Sequence, residues 1–133
     1  MRVVLLPSTV GDGGPAQYLS SYLVNHTVAF DAGSLGFWGT PQDQAFFERH
    51  YREIHVPLVK KLPGVRRYTF SRDAAPVRGD LYYRIGEVDF DDLTALRQAF
   101  ASPEGRAAAA DVDTLSSTAG AQVRSMIYEL EEL

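Results

Sequence analysis

The chain has 133 residues, 45% apolar and 23% charged, which suits a single folded domain and argues against disorder. With 17 acids against 13 bases the formal charge is -4 and no basic face is offered to nucleic acid; the absence of cysteine removes disulfides, thiolate catalysis and cysteine–zinc sites. No apolar run approaches the ~18 residues that cross a membrane, and the opening Met-Arg-Val-Val-Leu-Leu-Pro is too short for a secretory signal, so a cytoplasmic protein is expected.

The first forty residues carry little charge and much turn chemistry. Arg2–Leu6 suits a buried strand, Val10–Pro15 a loop, and Gln17–Val24 with Thr27–Phe30 a hairpin turned at Asn25-His26. From Thr40 the period changes. Thr40 as N-cap, Pro41 at the first helical position and Asp43 predict a helix start. Phe47, Tyr51, Ile54, His55, Leu58 and Leu62 then form one apolar stripe, with a kink or break expected at Pro57. Val65–Arg72 alternates as a strand with Tyr68 and Phe70 on one face, and Leu81–Phe90 reads as a second strand antiparallel to it. Asp91 is placed as the cap of a helix carrying Leu93, Leu96 and Phe100. A short alanine-rich helix over Glu104–Asp111, a polar loop over Thr114–Gly120 and a last strand over Ala121–Leu130 complete the chain.

After Pro41 the order is helix, strand, strand, helix, strand. One strand in front gives β-α-β-β-α-β, the ferredoxin-like split unit of an α+β fold. Residues 28–38 are the preferred first strand because the loop to Thr40 is then short, whereas Arg2–Leu6 would need a connection of about thirty residues. Asp31 is read as a strand-ending turn residue.

His50–Tyr68, Leu81–Val88 and Ala101–Asp111, with their Tyr-x-x-x-His-x-Pro-Leu and Ser-Pro-Glu-Gly blocks, resemble the EthD family from about Phe37 to the C-terminus. The resemblance implies a dimeric α+β barrel, in which the four-stranded sheets of two subunits pack together. It also implies kinship with enzymes that isomerise, cyclise or decarboxylate small aromatic or lactone compounds without a cofactor. Arg2–Thr9, Gly14–Asn25 and Thr27–Gly36 instead resemble the start of a class II cyclic-nucleotide phosphodiesterase of the metallo-β-lactamase fold. That family's His-x-His-x-Asp-His block is absent, so its metal site and hydrolase role do not carry over. Two resemblances meeting near Phe37–Pro41 suggest a join, whether a natural fusion, a misassigned start or an engineered chimera. The expected division is a hydrolase-like β appendage over residues 1–26 and an EthD-like domain over residues 27–133.

His55 falls on the inward stripe and could serve as a general acid/base. The competing and favoured reading is structural, with the imidazole bonded to backbone carbonyls freed at Pro57. Tyr51 and Tyr83 are pocket candidates, with Tyr68 and Phe70 as further lining, although aromatic residues of this kind are mostly core. Glu87 shares a face with Leu81, Tyr83 and Ile85, opposite Arg84, and is either a proton carrier with a raised pKa or a salt-bridged structural group. His26 and His50 are expected to face solvent, and His50 and His55 to diverge by about 140° on a helix, too far to share a metal. The expectation is therefore a homodimer doing acid/base chemistry on a small apolar or aromatic compound, with no cofactor, metal, nucleic acid or membrane. The alternative is a non-catalytic ligand-binding or structural dimer.

Overall fold

A computed structural model describes residues 30–133, so the expected strand at Arg2–Leu6, the hairpin through Asn25-His26 and the appendage lie outside the described residues. Strand β1 spans Ala32–Trp38. A helical stretch follows as α1 (Gln44–His50), a π-helical turn (Tyr51–His55) and α2 (Val56–Lys60). Strands β2 (Arg67–Phe70) and β3 (Arg84–Phe90), helices α3 (Leu93–Ala101) and α4 (Pro103–Ala119), and strand β4 (Val123–Glu129) complete the order. All pairings in the sheet are antiparallel, in the order β2-β3-β1-β4, and the helices cover one face. This is the ferredoxin-like α+β fold. Among the described residues no helix is long and apolar enough to cross a membrane.

The strand nearest the first helix supplies β1, but it begins where the sequence suggested an ending. The Asp31 N–H donates to the Asp91 carbonyl, and the Asp31 carbonyl accepts from Leu130, so Asp31 opens the central strand. Two caps also lie further along the chain than expected. The Asp43 side chain, not Thr40, accepts from the Phe46 N–H at 2.9 Å, and Asp92, not Asp91, accepts from Ala95 at 2.8 Å. In both places the carboxylate three residues before the receiving N–H holds the cap.

The Ser-Pro-Glu-Gly block is a corner with no loop. Ser102 is the N-cap of α4, accepting from the Gly105 N–H at 3.0 Å while donating to the Ala99 carbonyl, and Pro103 takes the first helical position. A side chain at Gly105 would run into the carbonyls of Ala99 and Phe100, so glycine is what lets the two helices meet this closely. The expected polar loop over Thr114–Gly120 is instead helix as far as Ala119. Ala108, Leu115 and Ala119 are buried at helical spacing, and that inward stripe outweighs the weak propensity of the Ser-Ser-Thr run.

Pro57 acts one turn upstream of itself. The preceding turn widens, and the Val56 N–H bonds to the Tyr51 carbonyl five residues back. Proline gives no N–H to the carbonyl four residues before it, and its ring crowds that carbonyl; a wider turn relieves both. The extra residue also rotates the buried stripe. Ile54, expected inside, is 46% exposed, while Val59 joins Phe47, Tyr51, His55 and the expected Leu62 in the interior.

Candidate functional site

The register of β1 sets Gly36 opposite both Gly86 of β3 and Ser125 of β4, with Ser34 one step along the same face. Across from this row α4 presents Gly105, Ala108 and Ala109. Small residues on both facing surfaces leave a gap where large ones would close the core. The result is a largely apolar cavity of about 380 Å³ between sheet and helices, flanked by Trp38, Tyr51 and His55 at one side and by Val59, Leu62 and Val88 at the other. The short alanine run of α4 thus has a structural meaning, since it makes one wall of a void.

His55 is buried, and its Nδ1 lies 2.9 Å from Asp111 Oδ2. The other carboxylate oxygen, Oδ1, lies 2.8 Å from His50 Nε2. The π-helical turn accounts for this convergence. On a regular helix residues five apart diverge, but a turn closed by bonds over five residues stacks them along the axis. Both imidazoles therefore reach one side chain of α4. This overturns the expectation that His50 faces solvent, its side chain being only 15% exposed. It also replaces the backbone carbonyls expected around His55 with a carboxylate. Burial lowers the His55 pKa from its ordinary value, against the opposing pull of Asp111, so the buried imidazole is held in its neutral, basic form.

Tyr51 and Tyr68 join hydroxyl to hydroxyl at the cavity wall. Burial raises both phenols, Tyr68 to about 12, so each keeps its proton. The pair uses one O–H internally and retains the other for a ligand. Gly86 makes room for it, because a Cβ there would press on the Tyr51 hydroxyl at 3.1 Å. The Tyr51 ring stacks on Phe70 at 3.9 Å between centroids and on Phe47 at 5.5 Å, which fixes its position.

A protein-family model described as the EthD domain matches residues 40–119, covering the helices, the His50–Asp111–His55 cluster and two of the four strands, β2 and β3. The chain belongs to the EthD family. This EthD protein is 40% identical over 78 residues to an uncharacterised 11.0 kDa protein of Rhodococcus erythropolis encoded in the thcB–thcC intergenic region, a match covering 58% of this chain and 76% of that one. Among solved structures it resembles an EthD family protein from Bacillus halodurans, with a TM-score of 0.66 and 27% identity, covering 76% of this chain and 99% of the other. The cofactor-independent oxygenase SnoaB from Streptomyces nogalater shares the fold at 17% identity and a TM-score of 0.53, covering 79% and 97% of the two chains. A dimeric ferredoxin-like protein from Thermobifida fusca does so at 14% and 0.56, covering 77% and 92%.

Of the residues singled out in the sequence, the EthD fold brings His55, Tyr51 and Tyr68 to the cavity. Phe70 and Tyr83 stand a layer behind. Phe70 backs Tyr51, and the Tyr83 hydroxyl donates to Glu48 at 2.8 Å beside the Arg84–Glu48 ion pair. Glu87 lies on the opposite face of the sheet, where it accepts from the Tyr128 hydroxyl at 3.1 Å. Trp38 and Asp111 were not singled out in the sequence, and His50 was weighed there only as a solvent-facing residue. For Asp111 the available signal was its place beside Ala108 and Leu115 on the buried side of α4, a carboxylate next to a core stripe.

Proposed function

We propose that this EthD protein is a cofactor-independent acid/base enzyme acting on a small apolar or aromatic carbonyl compound, with His55 as the general base. The observation that carries this reading is the His55 imidazole at the wall of an apolar cavity with its Nδ1 held by Asp111. A base oriented through its second nitrogen by a carboxylate is the arrangement that fixes a tautomer and steadies the cation formed on proton capture. His55 Nε2 takes a proton from the carbon next to a ligand carbonyl. The free hydroxyl of the Tyr51–Tyr68 pair donates to the oxygen on which the charge develops. Return of the proton to a different carbon gives an isomerase, and attack of the enolate on a second carbonyl gives a cyclase. A cavity of about 380 Å³ suits one or two fused rings.

Proton–deuterium exchange at the α-carbon of 2-tetralone, followed by NMR, tests this without knowledge of the natural substrate. The wild-type chain should accelerate exchange and His55→Gln should lose about 10²- to 10⁴-fold of that acceleration. Equal rates in both proteins would discard the base. Binding of 2-tetralone without any exchange would favour the ligand-holding alternative.

The same reading has the outer face of the sheet, with Leu35, Phe37, Ile85 and the 54%-exposed Met126, packed on a second copy of the chain. Its apolar character supports this, as does the dimeric state of the Thermobifida fusca protein. Sedimentation equilibrium should return twice the chain mass; a monomer at micromolar concentration would refute it.

A further inference from the structure

Three titratable side chains run from the cavity towards the surface in order of rising exposure. His55 is 6% exposed at the cavity wall, Asp111 is 10% exposed in the middle, and His50 is 15% exposed at the far end. The nitrogens used differ. His55 turns Nδ1 to the carboxylate and leaves Nε2 for a ligand, while His50 turns Nε2 to it and leaves Nδ1. Phe46 stacks on the His50 ring at 5.3 Å and holds it in place, with the Arg49 guanidinium on the Phe46 ring. The other ionisable groups nearby are Asp113 on α4, Tyr51 in the same turn and Tyr68 on β2, all lining the cavity; β1 contributes the uncharged Trp38.

One carboxylate offsets one positive charge. Two imidazolium ions on the same carboxylate would leave an excess charge in a poorly solvated place. We propose that His50, Asp111 and His55 act as a proton outlet for the cavity, sharing one excess proton between two imidazoles so that capture by His55 is matched by release from His50 to solvent. The inference rests on the reading of His55 as base and adds to it a positioning and relay role for His50. The balance is simple. A ligand C–H bond breaks, its electron pair stays on the ligand as an enolate, and its proton goes to His55 Nε2. One proton leaves the outer imidazole, and the net charge of the three groups is unchanged. No oxidant or reductant is involved. When the ligand is reprotonated from His55 Nε2, His50 takes a proton back from solvent and the three groups return to their starting state.

The test is a pH titration of the histidine ring nitrogens by NMR on the full chain, with signals assigned through His26→Gln, His50→Gln and His55→Gln. In the wild-type chain the His55 curve should show two steps, because charge on His50 opposes proton uptake by His55. Gln at position 50 can still donate to Asp111 Oδ1 but carries no charge, so His50→Gln should shift the His55 midpoint upward by about one pH unit. A purely structural His50 would leave that midpoint in place and lower only the melting temperature. A single-step His55 curve in the wild-type chain overturns the outlet even if His50→Gln fails to fold. Uncoupled titration alongside 2-tetralone exchange that depends on His55 removes the outlet and leaves the base standing. Absence of exchange removes both.

Discussion

Asp111→Asn should leave a folded protein whose 2-tetralone exchange is slowed by about 10²- to 10⁴-fold. The side chains have nearly the same size, so the packing of α4 on the π-helical turn is kept. What changes is the pairing. The carboxylate accepts at both oxygens, from His55 at 2.9 Å and His50 at 2.8 Å, whereas the amide accepts at one end and donates at the other. One histidine must then switch tautomer or lose its partner. If His55 switches, its lone pair turns to the amide and its N–H points into the cavity, which makes it an acid where a base is required. If His50 switches instead, the negative charge that stabilises the His55 cation is still gone. Asp111 raises the His55 pKa against the lowering by burial, so its removal weakens the base further. Exchange rate and melting temperature should be measured together. An unchanged rate in a folded Asp111→Asn chain would reduce the aspartate to packing.

Phe47→Ala should carry the largest stability cost, about 3–5 kcal/mol. Phe47 is completely buried and its ring meets three others: Trp38 at 5.3 Å edge-on, Tyr51 at 5.5 Å stacked and Tyr83 at 5.5 Å edge-on. No small rearrangement fills that space, because those rings are fixed by partners elsewhere, Tyr51 by Phe70 and Tyr83 by its bond to Glu48. Against a typical domain stability of about 5–15 kcal/mol, the loss brings the chain near its unfolding threshold. Differential scanning calorimetry should show the melting temperature lowered by roughly 10–20 °C. A fall of a degree or two would mean that this cluster is not the second half of the core. Phe47→Leu, which keeps most of the apolar volume, should recover much of the loss.

The sequence carried the order of elements well because each has its own local signature: period two around Tyr68 and Phe70, helical spacing from Phe47, and Ser-Pro at the corner between α3 and α4. It misjudged places where a non-local partner decides. The Thr114–Ala119 segment reads as a loop from its side chains and becomes helix because Leu115 and Ala119 are buried against Trp38 and Phe47. Pro57 announced an irregularity but not its form, and the form matters: the widened turn exposes Ile54, buries Val59 and sets His50 and His55 over one carboxylate. His55, Tyr51 and Tyr68 were visible as apolar-face polar groups. Asp111 was not, since a carboxylate ending an alanine run looks like a solvated helix position until the opposing histidines are known. Glu87 was weighed as a proton carrier on strand parity, and parity does place it opposite Arg84, on the face of the sheet away from the cavity.

The pH profile of 2-tetralone exchange, wild type beside His55→Gln, tests the central claim most directly. Burial lowers the His55 pKa, so the wild-type rate should hold as pH falls through the ordinary imidazole value of about 6.5 and drop only below it, where His55 takes up its proton. His55→Gln should show no such limb. Identical profiles in the two proteins, both following hydroxide concentration, would contradict the account.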